Sequence, residues 1–310
     1  MYEVLNLLAL PNLLLRNLAY NKLSNFLIIK CLCPPKAKFF KLMQVVYSSE
    51  SDSIKDYVRK IFRHRSLIYI FAKRDLKIKF AQTSLGLAWV IIQPLTAVLI
   101  FTFFFSYLVN FNTNYPYVLF VLSGILVWGI FNYIFSQSST SLSQSEEIIR
   151  KMNFPKIILP ISKTILAFVE FLLTLVVLVI LLMVYQMDFR WTMLLLPIII
   201  LPIFFFSLGL ALLLSSVALK NRDLFHIVPF LVNFGIWFTP VFYPISVIPN
   251  NLKNLIFINP VAASIQMFRW SFFDESFNNY IYIGIVISFL VFVVGFISFK
   301  NVEDKIIDLL

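Results

Sequence analysis

Apolar residues in this chain seldom alternate with polar ones; along most of its length they run in long, nearly unbroken blocks. A hydrocarbon core about 30 Å thick needs roughly 20 such residues to be crossed as a helix. Six regions meet that requirement: Gly86 to Val109, Tyr117 to Ser136, about Ile161 to Tyr185, Trp191 to Leu219, about Leu224 to Tyr243, and Tyr280 to Phe299. Their boundaries are abrupt. The polar turn NFNTNYP separates the first two, the serine-rich SQSSTSLSQSEE comes after the second, and the short link QMDFR makes a hairpin of the third and fourth. The pattern predicts an all-α integral membrane protein with six transmembrane helices and both termini cytoplasmic.

Two segments depart from this block pattern. From Ile54 to Ile70 the apolar residues Ile54, Tyr57, Val58, Ile61, Phe62, Leu67 and Ile68 recur at near-helical spacing, with Lys55, Arg59, Lys60, Arg63 and Arg65 between them. That is the signature of an amphipathic helix lying at a membrane interface or packed on a partner. Between the fifth and sixth regions, the stretch from Pro244 to Ser276 is too interrupted to cross and too apolar for a free loop. It predicts short re-entrant helices, which a membrane tolerates only where protein or a water-filled cavity surrounds the backbone.

The chain divides into residues 1–42, a cytoplasmic and interfacial segment 43–85, a transmembrane domain 86–299 and a cytoplasmic tail 300–310. Residues 1–42 carry apolar clusters without a signal-peptide layout. Met43 opens an ordinary polar start, so the first 42 residues are expected to be an upstream extension arising from start-site choice. Cys31 and Cys33, the only cysteines, lie there one residue apart, a spacing that suits neither a zinc site nor a disulfide.

Composition sharpens the class. Of 310 residues 60% are hydrophobic and only 13% charged, and the formal net charge is +11. Basic residues are retained on the cytoplasmic side. With six spans and cytoplasmic termini, only Arg190, Lys253 and Arg269 of the 26 Lys and Arg fall outside. The positive charge therefore reports topology and attraction to anionic lipid, and a nucleic-acid partner is rejected.

Catalytic chemistry leaves little trace. The seven glycines are scattered and none precedes a lysine, so no phosphate-binding loop exists and the chain cannot hydrolyse ATP by that device. Two histidines, His64 and His226, are too few for a histidine-rich metal site, and a Ser-His-Asp triad is improbable. Neither a catalytic residue nor a metal site is expected. Glu170 is the sole acid deep in a span, where an ionised carboxylate needs a partner, a water-filled path or a proton. Helix packing or lining of a conduit is favoured over a proton relay. The loop after the second span carries a short charged amphipathic piece, Glu146 to Met152, stopped by Pro155 and Pro160. A short helix pinned between two spans suits transfer of force from a cytosolic partner.

Four stretches in order, RDLKIKFAQTSLGLAWVIIQPL from Arg74, EEIIRKMNFPKIILP from Glu146, KNRDLFHIVPFLVNFGIWFTPVFYP from Lys220 and NPVAASIQMFRWSFF from Asn259, resemble the permease subunit of type-2 ABC exporters of polysaccharides. The O-antigen, capsule and teichoic-acid export permeases are the members meant, and the likeness covers about Ile54 to Lys300. It implies that this chain is not itself an enzyme and sits in the cytoplasmic membrane as a permease for a lipid-linked polysaccharide. It further implies two copies of a separate ATPase subunit, which bind ATP and magnesium, and a second permease copy as a homodimer. No cofactor is expected on this chain.

The resemblance also assigns roles. Glu146, Glu147, Ile148, Ile149, Arg150, Lys151 and Met152 correspond to the coupling helix that docks on the ATPase. Arg74, Asp75, Lys77 and Lys79 lie beside a cytoplasmic entrance near an anionic lipid-diphosphate head group; clustered Arg and Lys suit a diphosphate, and equally suit anchoring of the first span. Gln93 and Pro94 sit inside that span, where proline removes a backbone bond and loosens the helix. Aromatic residues make 17% of the chain. Sugar rings stack their C–H faces on such rings, and Tyr107, Trp128, Phe131, Tyr133, Trp237 and Tyr243 are candidates to line a conduit, against ordinary membrane packing for each one alone. Asn259, Pro260 and Arg269 are expected to shape the outer exit. The competing functions are a type-2 ABC permease for a lipid or small drug and, with less support, an integral membrane transferase.

Overall fold

The computed structural model describes residues 53–81, 86, 88–108, 113–218, 221–303 and 306, with the side chains of 81, 106–108, 222, 250 and 251 excepted. The expectations for residues 1–42 and for the two cysteines lie outside the described residues. Every regular element among the described residues is helical.

The amphipathic segment forms two helices, α1 (Ile54–Arg63) and α2 (Arg65–Ala81), broken at His64. His64 leaves the helical conformation at φ −97° and ψ 16°, and its Nδ1 lies 2.9 Å from the Lys60 carbonyl oxygen. The first span is α3 (Ala88–Thr102), continued by a π-helical stretch, Phe103–Leu108. Pro94 lies inside α3, which runs helical on both sides of it, and Thr96 Oγ1 turns back to donate to the Ile92 carbonyl at 2.8 Å.

The second span, α4 (Tyr117–Ser139), leads into two short helices, α5 (Ser141–Gln144) and α6 (Glu146–Lys151). The third is α7 (Ile158–Val184). A 3-10 turn, Trp191–Leu195, leads into α8 (Leu196–Ala218), and a second, Arg222–His226, into α9 (Ile227–Phe238). Short turns including α10 (Asn250–Lys253) precede α11 (Pro260–Phe273), and α12 (Ile281–Glu303) is the last long helix.

Among the described residues, five helices are long and apolar enough to cross a bilayer: Ala88–Phe105, Tyr117–Ser139, Ile158–Val184, Trp191–Ala218 and Ile281–Glu303. The region expected as a fifth span holds instead the shorter apolar helix Asp223–Phe238, whose 12-residue α-helical part rises only about 18 Å. It ends because Thr239 is extended, and Asn259 Nδ2 holds the Thr239 hydroxyl at 3.0 Å.

The second span is the hub. It packs on α3, α7, α8 and α11, and buries Leu119, Phe120, Leu122, Ile134 and Phe135 almost completely. The tightest crossing is between α8 and α12. A Cβ on Gly209 would lie 2.5 Å from Phe292 Cα and 2.8 Å from the Val291 carbonyl carbon, and one on Gly295 would strike the Gly209 backbone. Paired glycines thus let two spans touch backbone to backbone, the close approach on which helix association in lipid depends.

The two ends of the bundle are marked by contacts between distant segments. At one end Glu303 accepts from the Tyr57 hydroxyl and the Lys156 backbone N–H, and Ser215 Oγ donates to the Ser139 carbonyl at 2.9 Å. At the other, Arg190 meets Asp274 at 2.8 Å, and Thr192 and Ser271 exchange hydroxyl-to-carbonyl bonds of 2.6 and 2.7 Å.

Candidate functional site

Helix α6 is only six residues long, yet its sequence favours it. Glu146 and Glu147 occupy its first turn and Arg150 and Lys151 its last, matching the helix dipole. The pairs Glu146–Arg150 at 2.7 Å and Glu147–Lys151 at 3.4 Å obey the four-residue spacing. Ile149 is buried, whereas Glu147, Lys151 and Met152 are exposed. The helix is therefore pinned on one face and presents a charged, part-apolar strip on the other.

The segment between α6 and α7 ties it to the rest of that end of the bundle. Phe154 is buried against Phe71 of α2, with ring centroids 5.6 Å apart. Two residues on, the Lys156 N–H is held by Glu303 of α12, the same carboxylate that receives the Tyr57 hydroxyl of α1. Burial pushes the Lys156 ammonium below the usual lysine range, and the charge of Glu303 opposes that. One loop thus touches α2 and the end of the last span, whose Glu303 also holds α1.

Helix α2 is clasped to α7 by two ion pairs of opposite polarity. Asp75 Oδ2 lies 2.8 Å from Lys163 Nζ, and one turn later Lys79 pairs with Glu170. Lys79 Nζ also stands 4.4 Å from the centroid of the Tyr133 ring. Arg74 is drawn onto Asp75 at 2.7 Å and across the Phe71 ring at 5.2 Å. Of the four residues expected at an entrance, Arg74, Asp75 and Lys79 are thus engaged in this clasp, and Lys77 is exposed. Gln93 is exposed on α3 and Pro94 half-buried. Sequence reasoning does not single out Lys163. The signal that could have found it is a lysine seven residues before Glu170 in an apolar helix, which puts both charges on one face.

The expected conduit aromatics separate. Trp128, at 6% exposure, packs on Phe131 with centroids 5.0 Å apart, and Phe131 stacks on Phe135 and Phe206. Both are interior side chains of the bundle within a single chain, because α4 is its hub. Trp237 is 51% exposed and meets Phe101 edge-on at 6.0 Å. The half-buried Tyr243 donates to the Trp237 carbonyl at 3.3 Å, and Tyr133 belongs to the clasp. The side chain of Tyr107 lies outside the described residues.

Toward the other end of the bundle Arg269, expected to shape an exit, is an interior side chain. It is wholly buried and donates to the carbonyls of Pro240 at 2.8 Å, Val241 at 2.9 Å and Phe120 at 3.2 Å, and to Ser123 Oγ at 3.3 Å. Its guanidinium covers the Phe120 ring at 3.5 Å. The reason is backbone satisfaction: the chain leaves helical geometry after α9, and its carbonyls need donors that neither lipid nor helix supplies. Gly124 admits this arrangement, since a Cβ there would sit 2.8 Å from the Val241 oxygen. Asn259 caps α11 by accepting from Val261 N–H at 3.0 Å, with Pro260 in the first turn, so this pair starts a helix. Beside them, burial holds the Tyr115 hydroxyl protonated as a donor to Glu275 at 2.6 Å.

Comparison with known proteins places these features in a family. The ABC-2 type transporter family profile matches residues 66–273, which run from α2 to the end of α11. A protein of Myxococcus xanthus named O-antigen export system permease protein RfbA is 27% identical over 221 residues, 70% of this chain and 84% of its own. Two Klebsiella pneumoniae proteins of the same name are 28% and 27% identical over 249 residues, in each case 79% of this chain and 95% of theirs.

Proposed function

Because the chain belongs to the ABC-2 type transporter family, we propose that it is the membrane-spanning permease subunit of an exporter that carries a lipid-linked polysaccharide across the cytoplasmic membrane. The observation that carries the substrate class is its similarity to O-antigen export permeases along nearly their whole length. The chain is a multi-pass membrane protein and a transport subunit; hydrolysis of ATP, with its magnesium, belongs to a separate ATPase, two copies of which act on two permeases.

The inner-end geometry supports this division of labour. Exposed Glu147, Lys151 and Met152 on α6 offer an ATPase a docking strip, and Ile149 anchors it. Phe154 against Phe71 and Lys156 on Glu303 pass movement of α6 to α2 and α12. Asp75–Lys163 and Lys79–Glu170 carry it onward from α2 to α7. Lys77, with Arg74 when released from Asp75, supplies the charge for a lipid-diphosphate head group at the entrance. Helix α9 together with the short elements after it, which carry the chain from the end of α8 to the start of α12, makes the sixth crossing that leaves both ends of the transmembrane domain cytoplasmic. Span α3 buries few of its residues within one chain, which suits a second copy across the conduit.

A strain lacking this chain, with and without a restoring copy, tests the reading through its surface and cytoplasmic glycan. Loss of surface polysaccharide with lipid-linked glycan accumulating inside, reversed by the copy, is the expected result. An unchanged glycan profile would move the assignment to export of a lipid or small drug.

A further inference from the structure

At the end of the bundle opposite α6 lies a cleft of about 380 Å³ that none of the roles above uses. Its position is set by connectivity. Thr113 and Asn114 precede α4, α6 comes after the far end of α4, and a 23-residue helix separates the two by about 34 Å. Thr113, Asn114, Ser246 and Asn278 supply hydroxyl and amide groups around the cleft, Gln266 and Glu275 join them, and the half-buried Pro244 and Ile245 contribute apolar surface.

The hydrogen bonding inside the cleft leaves one acceptor unmet. Glu275 accepts from the Tyr115 hydroxyl at 2.6 Å and from Gln266 Nε2 at 2.9 Å. Gln266 Nε2 also faces the Ser276 carbonyl at 3.4 Å. Both neighbours of that nitrogen are acceptors, so the amide orientation is fixed by chemistry and its oxygen points elsewhere. Gln266 is 5% exposed, and its Oε1 has no hydrogen-bond partner among the described residues. A buried acceptor of this kind is costly, and a bound donor relieves it.

We propose that this outer cleft is a binding subsite for one or two neutral sugar units of the glycan, reached after they leave the membrane. The inference rests on the export reading above. A sugar hydroxyl both donates and accepts, as the mixed amide and hydroxyl lining requires. The charges in the wall are one ammonium, Lys253, and one carboxylate, Glu275. A single ammonium is poor for a diphosphate, which favours clustered Arg and Lys, and a single carboxylate is poor for a divalent cation. The volume stands at the low end of the range for small-ligand pockets, which matches one or two rings rather than a long chain.

The full-length protein in lipid nanodiscs, mixed with methyl glycosides of hexoses and N-acetylhexosamines, provides the test by saturation-transfer NMR. Saturation transfer to at least one glycoside is expected, with inorganic diphosphate failing to compete. Gln266→Met should weaken binding roughly tenfold, and the rim substitution Asn278→Ala, which leaves the buried bonds in place, at least severalfold. No transfer to any glycoside, displacement by diphosphate, or unchanged binding in Asn278→Ala would each overturn the subsite. Failure of the export reading registers separately, as an unchanged glycan profile in the deletion strain.

Discussion

Lys79 of helix α2 pairs with Glu170, well inside the third span, while Asp75 one turn earlier takes Lys163 from the same span. The polarity reverses between the two pairs: acid to base, then base to acid. A slip of one turn along α7 would leave both pairs without partners, and a slip of two turns, the seven residues from Lys163 to Glu170, would bring like charges together, so the clasp specifies a register as well as a contact. Glu170 owes its place in an apolar helix to this partner, since an unpaired carboxylate at that depth is expensive.

Removing one member of the pair should therefore cost more than removing both. Lys79→Met leaves the Glu170 carboxylate without its cation, whereas Lys79→Met with Glu170→Gln leaves two neutral groups. In thermal unfolding of the purified protein, the single variant is expected to melt below the double variant. The coupling between the sites should be of order 1 kcal/mol. Additive losses would mean that the two side chains do not sense each other.

Arg269 provides the second prediction. Arg269→Met strands the carbonyls of Pro240 and Val241, while the Phe120 carbonyl keeps its bond from the Ser123 hydroxyl, and a loss on the order of 3 kcal/mol is expected. Arg269→Lys keeps the charge and loses the planar fork that reaches several acceptors, so it should recover only part of that stability. Proteolysis between α9 and α11 is the sensitive readout, because the stranded carbonyls hold that segment in place. Full resistance in Arg269→Met would show that other donors satisfy them.

Two glycines in helices should respond to alanine with opposite signs. At Gly209 a Cβ would collide with the Phe292 and Val291 backbone, and Gly209→Ala should separate α8 from α12 and lower the melting temperature. At Gly129 nothing lies within 4 Å, so Gly129→Ala gains helix propensity, worth about 0.5–1 kcal/mol. Equal effects at the two sites would contradict the backbone contact at the α8 and α12 crossing.

The long spans are legible because each needs only a run of apolar residues, and the observed helices begin and end within a few residues of the expected ones. Asp223–Phe238 is shorter than its apolar run because Pro240 drives the preceding Thr239 to extended geometry, φ −106° and ψ 138°, and so takes the apolar stretch TPVFY out of the helix. Its carbonyls are instead met by Arg269, an arginine some thirty residues downstream. The break at His64 carries neither proline nor glycine, and the apolar periodicity runs straight through it. Likewise, the basic strip from Arg74 to Lys79 reads as anchoring or ligand charge. Its acidic partner, Glu170, lies 91 residues away, a pairing no local pattern reports.

The last prediction separates docking from transmission at α6. Glu147 and Lys151 face outward, so Glu147→Arg changes the strip offered to the proposed ATPase and leaves the inner contacts intact. Phe154→Ala does the reverse: it opens a cavity between the loop and Phe71 but leaves the outward strip unaltered. A buried Phe to Ala change costs about 3–5 kcal/mol where the surroundings do not collapse, so folding must be checked first by gel filtration. Co-purification with the ATPase is expected to fall in Glu147→Arg and to persist in Phe154→Ala. Surface glycan should fall in both variants, because movement of a docked α6 that no longer grips α2 does not reach the α2–α7 clasp. Normal export in a folded Phe154→Ala variant would remove the Phe154–Phe71 contact from that route and leave Glu303 as the remaining link.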